Sequence, residues 1–198
     1  SLVKNGAFTE SETVYYVDPS FLTMFDFSLI KGKKEAALSK PNQIVITEEM
    51  GEKYFGDNAP VGQNLSLQVN GEWTDFLISG IIQKAPINSS IQYDILIPFE
   101  FTNNFFGEGA LNCWTCVFGE TYIQIDPKTN GEILHAKIAS FMDDKNIGSY
   151  KPGEYVVGLQ PLTDIHLNND IPVGVVSVSD SRYPYILASV ALLILLLA

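Results

Sequence analysis

Cys113 and Cys116, in the run CWTC, are the residues whose type and spacing most readily suggest chemistry. A redox dithiol needs one activated thiol, most often at the start of a helix. Here the pair is flanked by Asn112 and by Val117-Phe118-Gly119, ahead of the strand-like TYIQI, and no helix begins that way. A zinc site would need two more ligands, and the only histidines, His135 and His166, are distant in sequence. The pair reads as two small, half-buried thiols near a strand, free or, in an extracytoplasmic setting, oxidised. His135 falls on the surface of an amphipathic helix. His166 follows Asp164 in TDIHL, and the two side chains share a face only if the backbone is extended. Asp143-Asp144 at a helix end reads as a solvated turn rather than a calcium site. There is no dinucleotide fingerprint, P-loop, zincin or nucleophile-elbow motif. No catalytic, metal-binding or cofactor-binding residue is assigned, and no cofactor is expected.

The elements around these residues interleave strand and helix. SETVYYV (11–17) is β-branched and aromatic and predicts a strand. Asp18-Pro19 predicts a capped start to the short helix SFLTMFDF, with Gly32 and the basic stretch Lys31 to Lys34 as a loop. QIVIT (43–47) predicts a buried strand leading into a helix. Thr47 caps that helix, Glu48 and Glu49 suit its first turn, Met50, Tyr54 and Phe55 form its apolar face, and Gly56 ends it. Leu65, Leu67 and Val69 alternate up to Asn70-Gly71, and WTDFLISGII returns, a strong hairpin signal. YDILIP (93–98), ETYIQI (120–125) and EYVVGLQPL (154–162) predict further strands, and VGVVSVS an extended segment. Asp126-Pro127 predicts a second capped start, to a helix ending near Asp144. One hairpin within interleaved strands and helices predicts an α+β fold with a mixed sheet.

Composition narrows the function. The 198 residues carry 12 basic and 23 acidic side chains, a net charge of −11, which argues against a nucleic-acid partner and against broad adhesion to anionic lipid. From Pro184 the chain reads PYILASVALLILLLA, with no charge after Arg182. Such a run, apolar all round, belongs in a core or in lipid. Arg182, Tyr183 and Tyr185 suit a membrane interface. Residues 183–198 are expected to be the start of a transmembrane helix. Phe101, Phe105, Phe106 and Trp114 form a candidate partner surface, although aromatic residues of this kind are more often core.

In order along the chain, several segments resemble one family. IVITEEMGEKYFGDNAPVGQNL (44–65), YYVDPSFLTMFDFSLIKG (15–32), ISGIIQKAPINSSIQYDILIPF (78–99), TYIQID with its following helix, and LQPLTDIHL (159–167) are similar to the MacB-like periplasmic core domain. The apolar segment from Ile186 resembles the second membrane helix of FtsX-like ABC transporter permeases. The resemblance implies a porter-like β-α-β subdomain (1–17 and 119–180, incomplete at its N-terminus) with an inserted α/β subdomain (18–118). It implies a periplasmic domain of a bacterial inner-membrane permease that couples ATP-driven helix motion to substrate or partner handling outside the membrane. It is no enzyme itself, since ATPase activity would lie on a separate subunit or domain. The implied partners are a cytoplasmic ABC ATPase, a second permease copy, a periplasmic or outer-membrane protein, and the membrane. A membrane-anchored ligand-binding or sensor domain, and a thiol oxidoreductase using Cys113 and Cys116, are the alternatives.

Overall fold

The computed structural model describes residues 1–106, 116, 119–144, 151, 154, 157–167 and 182–197. The chain divides into two units, Ser1–Asn112 and Cys113–Ala198.

The first unit is built on eight strands: β1 (Leu2–Asn5), β2 (Phe8–Ser11), β3 (Val14–Val17), β4 (Leu29–Lys31), β5 (Gln43–Thr47), β6 (Asn64–Val69), β7 (Glu72–Ile82) and β8 (Ile95–Pro98). Their order is β2-β1-β6-β7-β5-β8-β3, with β4 added beside β7. The sheet is mixed: β5 runs parallel to β7 and β3 parallel to β8, while the other pairs are antiparallel. The α+β class with a mixed sheet is thus as predicted.

The sheet has to curl. β2 ends at Ser11 and β3 starts at Val14, yet these strands are the two ends of the order. Three Cα steps span about 11 Å at most, whereas seven flat strands would span about 29 Å. Two adjacent residues bridge the ends. The Glu12 amide donates to the Ser1 carbonyl oxygen on the β1 side, and Thr13 accepts from the amides of Asp94 and Ile95 on the β8 side.

Why these strands pair so is legible in their side chains. Ile44, Val45 and Ile46 of β5 are all fully buried, as expected of a central strand covered on both faces. Ile44 and Ile46 join Leu65, Leu67, Phe76, Ile78, Ile95 and Ile97 in one cluster, capped by Met50, Tyr54 and Phe55 of α3 (Glu48–Phe55). Each such side chain, fully buried, contributes roughly 1.5–3 kcal/mol. Two short helices, α1 (Phe21–Met24) and α2 (Lys34–Ala37), add buried Phe21, Leu22 and Ala37. In β7 the inward phase runs Phe76, Ile78 and then Ile81. A bulge resets it: Ile44 pairs with Ile78 but Val45 with Gly80, leaving Ser79 as the extra residue. Its hydroxyl lies within hydrogen-bond reach of the Ala37 and Ile44 carbonyl oxygens, so the bulge also anchors α2.

The predicted hairpin is present, with Asn70 at φ 51° and Gly71 at φ 87°, the paired left-handed geometry of a tight two-residue turn. The helix after β5 is as predicted too: the Thr47 hydroxyl accepts from the Met50 amide at 3.4 Å, and Gly56 ends the helix at φ 57°. Other expectations are corrected. The strand expected over 11–17 is two strands, because residues 12 and 13 cross between sheet ends. The Asp18 carbonyl accepts from Phe21, and α1 is capped by Ser20 without a side-chain bond. The loop expected over Lys31 to Lys34 narrows to residues 32 and 33, because Lys31 ends β4 and Lys34 begins α2.

In the second unit, α4 (Gly131–Asp144) begins later than Asp126-Pro127 predicted. Asp126 instead closes a turn through Lys128 and Thr129, and Asn130 Oδ1 caps the helix by accepting from Glu132 and Ile133. ETYIQI (120–125) is irregular rather than a strand: no described segment pairs with it, and Ile123 is 52% exposed. The described residues of 154–161, a turn at 154 and the run 157–161, form no strand either, ahead of a 3-10 helix at Leu162–Leu167. VGVVSVS lies outside the described residues. The last element is α5 (Arg182–Leu197).

Candidate functional site

The aromatic residues after β8 separate once placed. Phe101 is buried in the core, 4.8 Å ring to ring from Phe76. Phe105 is half-buried and packs edge-on to Tyr16. Phe106 stacks at a tilt on Phe105 and is 40% exposed. Trp114 lies outside the described residues. The candidate partner surface therefore keeps Phe106 as its exposed ring, with Phe101 and Phe105 holding it from below.

α5 is the other candidate surface. Tyr183 and Tyr185 are 64% and 74% exposed, and Ile186, Leu187, Val190 and Leu192 to Leu196 are exposed on every side of the helix. One polar group after Tyr185 satisfies itself: the Ser189 hydroxyl donates to the Tyr185 carbonyl at 2.7 Å. A stripe facing a core would leave one polar face; this helix has none. Sixteen residues at 1.5 Å each make about 24 Å, short of the roughly 30 Å of a bilayer core. Among the described residues no helix is long and apolar enough to cross a membrane.

The residues weighed for chemistry stay apart. Cys116 is disulfide-bonded, and Cys113 lies outside the described residues. His135 is exposed on α4, as the sequence predicted. Asp164 and His166 fall in the 3-10 helix, where residues two apart do not share a face. Among the described residues no group of three or more His, Cys, Asp or Glu side chains could hold a metal ion.

Sequence reasoning missed an ionic clasp. Lys53 Nζ donates to Glu10 Oε2 at 2.6 Å and to Glu12 Oε1 at 2.7 Å. The Tyr54 hydroxyl donates to the same Glu12 oxygen at 2.8 Å. The Glu12 side chain is only 8% exposed. Asn5 Nδ2 donates to the Tyr54 carbonyl at 2.7 Å, and Phe8 meets the Tyr54 ring edge-on. Hydrogen bonds donated to the two carboxylates push the Lys53 ammonium well above the ordinary lysine value. Burial, then the Glu12 bond, pushes the Tyr54 phenol up. The signal was present: Glu10-x-Glu12 in an extended chain puts both carboxylates on one face. These groups fasten the β1–β2 hairpin to α3.

The sequence matches the family model of the MacB-like periplasmic core domain over residues 2–141, well over half of the chain. No curated protein matches it. Two solved structures are similar in fold. One is a domain of a permease protein from Porphyromonas gingivalis, 23% identical with a TM-score of 0.60, covering 83% of this chain and 76% of that one. The other is the periplasmic region of MacB from Actinobacillus actinomycetemcomitans, 14% identical with a TM-score of 0.50, covering 76% of this chain and 64% of that one. At these identities the likeness speaks to the mixed α+β architecture, and the family match carries the assignment. The chain belongs to the MacB-like periplasmic core domain family of ABC transporter permeases.

Proposed function

We propose that this domain couples ATP-driven motion of membrane helices to the handling of a substrate or partner on the periplasmic side. The observation that carries the reading is α5, a helix with apolar side chains exposed in every direction, in a chain whose other unit folds around a well-packed core. Such a helix is stable where lipid or other membrane helices cover it. Arg182, Tyr183 and Tyr185 at its start suit the interface, so α5 is read as the beginning of a membrane span in a bacterial inner-membrane protein.

ATP hydrolysis would lie on a cytoplasmic ATPase, as a separate subunit or domain. A second permease copy and a periplasmic or outer-membrane protein are the further partners of this reading. The porter-like subdomain would take residues 119–180 with 1–17, and 18–118 would be the insertion. In the sheet, β1 pairs with β6 and β3 with β8, both strands of that insertion, while β2 pairs with β1.

The experiment is a flexible Gly-Ser insertion ahead of Arg182 in the full-length permease, reconstituted with its ATPase. ATP hydrolysis should persist while transport falls at least about tenfold, the loss expected when a mechanical step is disconnected. Transport that survives the insertion unchanged removes the coupling role.

A further inference from the structure

The lysines of the first unit fall into two groups. Lys4 lies 4.3 Å from the Trp73 ring centroid, Lys53 is held by Glu10 and Glu12, and Lys84 by Glu49. The other four, Lys31, Lys33, Lys34 and Lys40, sit within ten residues of one another. Among the described residues their side chains make no hydrogen bond or ion pair. Yet carboxylates far outnumber lysines over residues 1–106. An acidic surface that leaves its cations unmatched in one place is complementary there to an external anion and repels the same anion elsewhere.

The segment is also a sheet edge. Among the described residues β4 pairs only with β7, through Leu29 with Ile82 and Lys31 with Ile81. Ile30 between them is 44% exposed. Two residues of β4 advance against one of β7, so Ile30 is the extra residue of a bulge, and its side chain is exposed there. Gly32 at φ 103° then turns the chain, which brings Lys33 and Lys34 in directly after the strand.

We propose that β4, with Lys31 at its end and Lys33, Lys34 and Lys40 after it in sequence, forms a docking strip for an extended acidic segment of a partner protein, which adds as a further strand along β4. Main-chain pairing along the outer edge supplies affinity, the exposed Ile30 side chain meets an apolar residue, and the lysines select carboxylates around it. The inference goes beyond the coupling reading and does not depend on it. The contrasting role for lysines on an edge strand is to keep other strands away.

The test measures binding of a fluorescent peptide of alternating Glu and Val to the whole chain, by anisotropy, at low salt and at about 0.15 M salt. The triple substitution Lys31→Glu, Lys33→Glu and Lys34→Glu should weaken binding at least about tenfold, and Lys40→Glu alone by a few-fold. A peptide of equal charge with Pro in place of Val cannot pair along a strand and should bind several-fold more weakly. Hydrogen exchange of the β4 amides should slow when the Glu-Val peptide is bound. Because the lysines are surface groups, Lys→Gln versions with unchanged melting temperature provide the check on folding. Three outcomes overturn the proposal: binding indifferent to charge reversal, equal binding of the Pro peptide, or vesicles of phosphatidylglycerol bound through these lysines while the peptide is not. If the lysines only guard the edge, the Glu-Val peptide does not bind, and Lys→Gln versions aggregate.

Discussion

The Tyr54 hydroxyl donates to a Glu12 carboxylate that is almost removed from solvent, across 42 residues of sequence. Tyr54 belongs to α3, while Glu12 is the residue that also ties β1 back to the end of the sheet. One contact therefore joins helix, hairpin and sheet closure. Tyr54→Phe should lower unfolding free energy by about 1.5–3 kcal/mol, the range for a hydrogen bond to a charged group. Glu12→Gln should do less, since an amide still accepts from the phenol. Urea titration of both single variants and the pair gives the coupling, and additive losses would show that the two residues do not act together.

Stability should fall at alkaline pH, and for a stated set of groups. The Tyr54 and Tyr93 phenols are pushed up by burial, and the Lys53 and Lys84 ammoniums by hydrogen bonds to carboxylates. Each binds its proton more tightly folded than unfolded. Their contribution is complete below the ordinary values of 10.0 for tyrosine and 10.5 for lysine, and is lost as pH climbs through the raised ones. Urea midpoints should show no loss from these groups between about pH 7 and 9 and a decline above about 10. Tyr54→Phe with Tyr93→Phe should flatten that decline, and an equally steep one in the double variant would show that other groups cause it.

The approach of β4 to β7 should tolerate no added carbon. A Cβ at Gly32 would lie 2.8 Å from the Ser79 carbonyl oxygen, at a φ of 103°, and one at Gly80 would lie 3.0 Å from the Lys31 carbonyl oxygen. Gly32→Ala should destabilise by about 1–3 kcal/mol through backbone strain, with the clash in addition. At Gly6, φ 60°, the added carbon meets nothing within 4 Å, so Gly6→Ala should lose less. Thermal melts of the variants rank them, and equal losses at Gly32 and Gly6 would remove the steric argument.

α5 should make the chain amphiphilic. The intact chain should partition into detergent micelles or liposomes, and a version ending at residue 181 should not. Co-flotation with liposomes measures this. Flotation of the shortened version would place the lipid contact elsewhere.

Local signals in the sequence carried much of the first unit. Asn70-Gly71 announces its hairpin, Thr47 and Gly56 bracket α3, and the unbroken Ile44-Val45-Ile46 marks a strand covered on both faces. What was not legible depends on partners far away in sequence. The β1–β2 turn at Gly6 is a weak signal without knowledge that β6 lies beside it. The basic residues at 31–34 read as a loop because three residues of strand carry no period to detect, and β4 exists through its pairing with the far end of β7. ETYIQI shows the converse: its strand propensity is real, but among the described residues it pairs with no strand, and propensity alone does not make one. At the candidate site, Tyr183, Tyr185 and the apolar run were visible at once. The Glu10, Glu12, Lys53 and Tyr54 clasp was half visible: the Glu10-x-Glu12 spacing is local, but nothing local says which helix the two carboxylates will meet.

The bridge at Glu12 and Thr13 makes the sheet behave like a hoop. In an open sheet, a sideways pull peels the outermost strand first and the rest follow one at a time. Here neighbouring residues grip both ends of the wall, so the same pull is shared around its circumference. A wall held in that way resists loss of a single edge strand, which suits the proposed coupling role.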